Sequence, residues 1–146
     1  MKSYTTPEQS KRLRDLGIDL SMAEMSFVSL EHKDYTEDYY TKVPFLKQTS
    51  GDFNDIFDGT PSYTKNVLPV FKFKTLLSML PVHVLGTDGK KYLKMSDGTS
   101  IRYSIVKADH DGVPFEDTYK AFSSRSKYVN IYDMACWLLE NKLMQR

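Results

Sequence analysis

Three Asp-Gly pairs in the second half of the chain, Asp88-Gly89, Asp97-Gly98 and Asp111-Gly112, constrain its fold more than any other feature. Such a pair supplies the positive φ that a tight hairpin turn demands, so each one reads as a reversal between neighbouring strands. Val82–Leu85 is short and apolar, and Tyr92–Met95 follows the first turn. After the second, Ile101, Tyr103 and Ile105 alternate with Arg102, Ser104 and Val106, the period-two pattern of a half-buried strand. Asp111-Gly112 closes that strand, Pro114 keeps the next link irregular, and Thr118–Phe122 reads as a fourth strand. Connections this tight impose antiparallel pairing. The expectation is a β-meander of three to four strands.

Helical signals flank the meander. Thr6 stands before Pro7 with Gln9 three residues on, which is an N-cap, a proline at the first helical position and a capping-box partner. Gly17 supplies the stop. Leu13 and Leu16 give this first helix only a thin apolar stripe, so it is expected at the periphery. Leu20–Leu30 suggests a short helical turn leading into a strand. Phe73, Leu76, Leu77 and Leu80 fall on one face of a second helix, bracketed by Pro69 and Pro81. A third helix is expected over 131–143 behind an Asn130 N-cap, with Ile131, Met134, Ala135, Leu138 and Leu139 on its apolar face. Asp133 and Glu140 mark the opposite face, with Trp137 on one shoulder and Cys136 on the other. Between the first two helices, 31–68 reads as an irregular, Tyr-rich, acidic segment broken by Pro44, Gly51, Gly59 and Pro61. The expected class is α+β: a meander packed against two amphipathic helices, with a peripheral N-terminal helix.

At 146 residues the chain has the length of one domain, 1–146, able to bury a core without staples. Cys136 is the only cysteine, which excludes an internal disulfide and fits a reducing compartment. Met1–Pro7 lacks the apolar core of a signal peptide, and no apolar run approaches a membrane span. A soluble, cytoplasmic protein is expected.

The formal charge of +1 exerts no general pull on nucleic acid or anionic membrane. Its distribution is uneven. Residues 31–58 hold seven acids against three lysines, a net of −4, whereas 65–107 hold eight bases against Asp88 and Asp97, a net of +6. Lys72 and Lys74 lie in the first turn of the second helix, where the dipole disfavours cations, and Lys65 is just upstream. Together they mark a candidate anion or partner contact, for a phosphate or, with fewer assumptions, for carboxylates of the acidic segment. Trp137 is the fourth candidate contact, a large aromatic on a helix shoulder. Lys90, Lys91, Lys94 and Arg102 interleave with Tyr92 and Tyr103, as cations and aromatics do in single-strand binders, although no RNP-like or helix-turn-helix motif accompanies them.

Motifs for chemistry are missing. His32, His83 and His110 stand apart, with no metal-ligand spacing. Asp109–Gly112 and Asp52–Gly59 resemble calcium loops only superficially, because Lys107, Thr118, Ile56 and Phe57 fall on positions that need ligands or glycine. No Gly-x-Ser-x-Gly, phosphate loop or dinucleotide fingerprint occurs. Cys136 sits in an apolar helix, as inert thiols do. No catalytic residue, metal site or cofactor is assigned.

Three stretches, Ser3–Ser10, Pro69–Pro81 with its Leu-Leu-x-x-Leu-Pro ending, and Asp133–Asn141, resemble small uncharacterised proteins of gut Bacteroidetes and their phages or mobile elements. The resemblance covers a quarter to a third of the chain and implies a mobile-element origin, with no activity or site residue to transfer. Where that group opens its second helix with Trp-Ser, this chain has Phe71-Lys72, so the serine cap is absent. The functional expectation is a small non-enzymatic interaction or accessory protein with a protein partner. The alternative is a nucleic-acid-binding accessory module using 65–107, and an enzyme of unrecognised type ranks third.

Overall fold

The computed structural model describes residues 3–32, 39–40, 45–46 and 63–144, with side chains over 3–27 and 68–144. The expected α+β fold is present. Strands β5 (His83–Leu85), β6 (Lys91–Asp97), β7 (Ser100–Ala108) and β8 (Pro114–Phe122) form an antiparallel sheet in chain order. Gly89, Gly98 and Gly112 turn the hairpins at φ of 80°, 58° and 78°. The fourth strand starts earlier than expected. Asp109 ties its own turn, its Oδ1 accepting from the N–H groups of Asp111 and Val113. Pro114 can then open β8, because this edge strand pairs only with β7 among the described residues. The β7–β8 register passes from Tyr103 opposite Lys120 to Ser104 opposite Thr118, so Tyr119 is the extra residue of a β-bulge.

The inner face of the meander buries Val84, Tyr92, Ile101 and Tyr103 against α3 (Lys127–Glu140), whose Ile131, Met134, Ala135, Leu138 and Leu139 are all buried. The third helix begins before the expected Asn130 cap. Ser126 is the N-cap, its hydroxyl accepting from Val129 N at 3.2 Å. Asn130 lies within the first turn, 1% exposed, and folds back on the preceding chain. Its Oδ1 accepts from the backbone N–H and hydroxyl of Ser124, and its Nδ2 donates to the carbonyls of Ser124 and Thr99. The helix stops at Glu140, short of 143, because Lys142 adopts φ of 57°. Leu143 N then bonds to Leu138 O and Lys142 N to Leu139 O, satisfying the terminal carbonyls.

Helix α1 (Pro7–Asp15) carries the expected capping box on Thr6 and Gln9. Gly17, at φ 88°, ends it through Ile18 N to Leu13 O and Gly17 N to Arg14 O. Leu13 reaches the main core while most of the helix faces solvent. Helix α2 (Phe73–Met79) buries Phe73 and Leu76, and Phe73 stacks on Tyr128 of α3 with ring centroids 4.7 Å apart.

The irregular reading of 31–68 needs correction where the chain is described. After a helical turn at Leu20–Met22, strand β1 (Met25–His32) pairs antiparallel with β4 (Tyr63–Val70) along eight residue positions. Two short strands, β2 (Tyr39–Tyr40) and β3 (Phe45–Leu46), pair with β1 on its other edge. The remaining positions of 31–68 lie outside the described residues. Pro69 fits inside β4 because that strand pairs with β1 alone among the described residues. Met25, Phe27, Leu68 and Val70 form a second buried cluster under Tyr4.

Candidate functional site

A groove of about 350 Å³ lies where α1, α3 and β8 converge. Helix α3 supplies most of it. Tyr132, Asp133, Cys136, Trp137 and Glu140 recur at the three- and four-residue spacing that lines up one helical face. Arg12 closes it from α1 and Phe122 from the end of β8. The bulge in β8 turns two successive residues toward the groove's aromatic wall. Tyr119 meets Trp137 edge to face, with centroids 6.0 Å apart, and stacks on Tyr92 at 4.8 Å. The Lys120 ammonium lies 5.7 Å from the centre of the Trp137 ring and 5.0 Å from that of Phe122.

Charge in the groove is divided unequally between satisfied and unsatisfied groups. The Arg12 guanidinium pairs with the Glu140 carboxylate and also faces Cys136. Asp133 makes no hydrogen bond or ion pair among the described residues; burial raises its pKa above the usual carboxylate value, against the opposing pull of the Arg12 charge. Burial likewise pushes the Cys136 thiol and the Tyr132 phenol up, which keeps both protonated at neutral pH. No histidine lines the groove. A protonated thiol without a base beside it is a poor nucleophile. The arrangement is suited to holding a ligand by aromatic contact and charge.

The residues singled out from the sequence do not converge on one site. Trp137 lines the groove, and neither Lys72 nor Lys74 does. Lys72 is the N-cap of α2, with its Nζ 3.3 Å from Glu24 Oε2; the other carboxylate oxygen accepts from the Thr75 hydroxyl at 3.2 Å. An acidic side chain thus covers the end of this helix, but it comes from Glu24, just before β1, and not from the acidic segment. Lys74 is exposed. Lys65 lies in β4 opposite Leu30, and its side chain falls outside the described ones.

Other cations of the 65–107 stretch already have structural partners. Lys94 is half-buried and donates to the carbonyls of Leu77 and Leu80, capping the C-terminus of α2. Arg102 pairs with Glu116 at 2.6 Å and Lys107 with Asp117 at 2.6 Å. Tyr92 and Tyr103 are buried, and the Tyr103 hydroxyl donates to Pro81 O.

Sequence reasoning missed Arg12, Phe122 and Tyr132 as groove residues and Lys120 as their neighbour, and it set Trp137 and Cys136 on opposite shoulders. The helical spacing of Asp133, Trp137 and Glu140 could have flagged the α3 wall. Nothing local announces that Arg12 and Phe122 meet it.

Among the described residues, no group of three or more His, Cys, Asp or Glu could hold a metal ion, and no helix is long and apolar enough to cross a membrane. No family model, curated protein or solved structure matches the chain.

Proposed function

We propose that the protein is a small non-enzymatic interaction protein that holds a segment of a protein partner in the groove between α1, α3 and β8. The carrying observation is Trp137, half-buried and braced by Tyr119, beside the half-buried Asp133 carboxyl in a cavity of about 350 Å³. A rigid aromatic with a polar neighbour in a recess is the usual anchor of a protein contact. The cavity is near the lower end of the ~300–1,000 Å³ typical of ligand sites, which suits one or two side chains better than an extended cofactor. The resemblance to small proteins of Bacteroidetes phages and mobile elements extends this proposal to an accessory role in such an element.

The test places a photo-cross-linking residue at Glu140, or at Asp97 on the distant β6–β7 turn, in cells of the encoding organism. A discrete protein adduct from position 140, absent from position 97 and lost on Trp137→Leu, is expected. Equal adducts from both positions, or none, would overturn the proposal. Binding of single-stranded DNA or RNA that weakens steeply with salt would favour the nucleic-acid reading instead.

A further inference from the structure

Two cations of the chain itself already engage residues that line the groove. Arg12 sits on Glu140, and Lys120 hangs over the ring faces of Trp137 and Phe122. Aromatic faces attract cations through the negative potential above the ring, and Arg and Lys are the residues that exploit it. The aromatic wall therefore displays its preference within the chain. The two cations balance the carboxylates of Glu140 and Asp133 in number, but Arg12 is ion-paired with Glu140, and Asp133 feels its charge without a hydrogen bond or ion pair of its own among the described residues. An incoming anion would find both local cations engaged, one by a carboxylate and the other by two rings. An incoming cation would find, beside an aromatic wall, a carboxyl that is not hydrogen-bonded and feels Arg12 only at a distance.

We infer that the groove receives a lysine or arginine side chain from a basic segment of a partner protein, its charge set against Asp133 and its stem laid along Trp137. This identification of the partner rests on the interaction reading above and narrows it to one chemical class. Lys120 is then a built-in competitor. Its ammonium shares the rings with the ligand and must swing into solvent as the ligand's cation seats. Lys120 is on a strand and Trp137 on a helix, so the exchange needs only a side-chain rotation and no movement of the fold.

Trp137 is the sole tryptophan of the chain and reports directly from the groove. The full-length protein is titrated at low ionic strength with N-acetyl-tetraarginine amide and N-acetyl-tetralysine amide, with tetraglutamate and tetraserine amides and inorganic phosphate as controls. A saturable change in Trp137 emission with the basic peptides alone is expected. Asp133→Asn is expected to weaken that binding about two- to fivefold at an unchanged melting temperature, as for a partly exposed ion pair. Lys120→Ala is expected to strengthen it about two- to fivefold by vacating the rings, the size of one cation–π contact. The part of that gain that persists at about 0.15 M salt, where long-range repulsion of the peptide by the lysine is screened, reports the vacated rings.

Saturation by tetraglutamate or phosphate, or basic-peptide binding indifferent to both substitutions, would overturn the inference. So would the absence of any basic-peptide response. If Glu140 still cross-links a partner in a Trp137-dependent manner in that last case, the interaction reading stands and only the basic class falls. If neither experiment responds, both fall.

Discussion

The side-chain amide of Asn130 lies 2.6 Å from the carbonyl oxygen of Thr99, joining the first turn of α3 to the β6–β7 hairpin turn. The same side chain holds Ser124, so three segments meet on one buried amide that both donates and accepts. Asn130→Ala strands a buried carbonyl and the partners at Ser124, and is expected to cost about 2–3 kcal/mol. In a thermal melt that corresponds to a drop of roughly 5–10 °C. Asn130→Asp is expected to do at least as much harm, because a carboxylate has no N–H to offer the Thr99 and Ser124 carbonyls.

Backbone handedness yields a prediction of opposite sign. Lys142 is exposed and is the non-glycine residue with positive φ among those described, at 57°. A side chain in that conformation costs roughly 1 kcal/mol that glycine avoids. Lys142→Gly is therefore expected to raise the melting temperature by about 2–4 °C. Gly98→Ala is the converse. Its φ is 58° and a Cβ there meets nothing within 4 Å, so its loss of about 1 kcal/mol is purely conformational.

Asp88 links acid stability to a single turn. Its carboxylate accepts from the Tyr92 hydroxyl at 2.7 Å and from Lys90 N at 3.0 Å, which lowers its pKa below the ordinary value. A carboxyl depressed in the folded state contributes stability that is complete above its unfolded pKa of about 3.9 and is lost as pH falls through the folded value. Asn-Gly turns as readily as Asp-Gly, so Asp88→Asn removes the charge and spares the hairpin. Melting temperatures followed from pH 6 to pH 2 are expected to fall more steeply for the parent than for Asp88→Asn.

Cys136 is 5% exposed, and burial holds its thiol protonated. Reaction with a disulfide reagent at pH 8 is expected to be at least roughly a hundredfold slower in the native protein than in urea, since thiolate fraction and access both limit it. Rapid native labelling would show that this groove wall opens.

Features set by neighbouring residues were the most legible in the sequence. The Thr6-Pro7-Gln9 start of α1 and the glycine turns of the meander need only a few adjacent positions, and each occurs where the pattern places it. Strand β4 was hidden because Lys65-Asn66 and Pro69 interrupt its alternation, and what makes it a strand is β1, far away in the chain. Asn130 was misread for a subtler reason. Asparagine is equally suited to capping a helix and to knitting buried loops, and only the position of Thr99 decides between them. The groove was half visible. Trp137 and Asp133 share a helix and can be related by counting, whereas Arg12 and Phe122 reach them only through tertiary packing.

The bulge at Tyr119 sets an unusual sensitivity to chain length. Because one surplus residue in β8 lets Tyr119 and Lys120 both reach Trp137, deleting position 119 would restore an even ladder with β7. The repaired hairpin would be the more regular one, yet the ring that braces Trp137 would be gone. In this strand, a miscount of one is what couples the sheet to the groove.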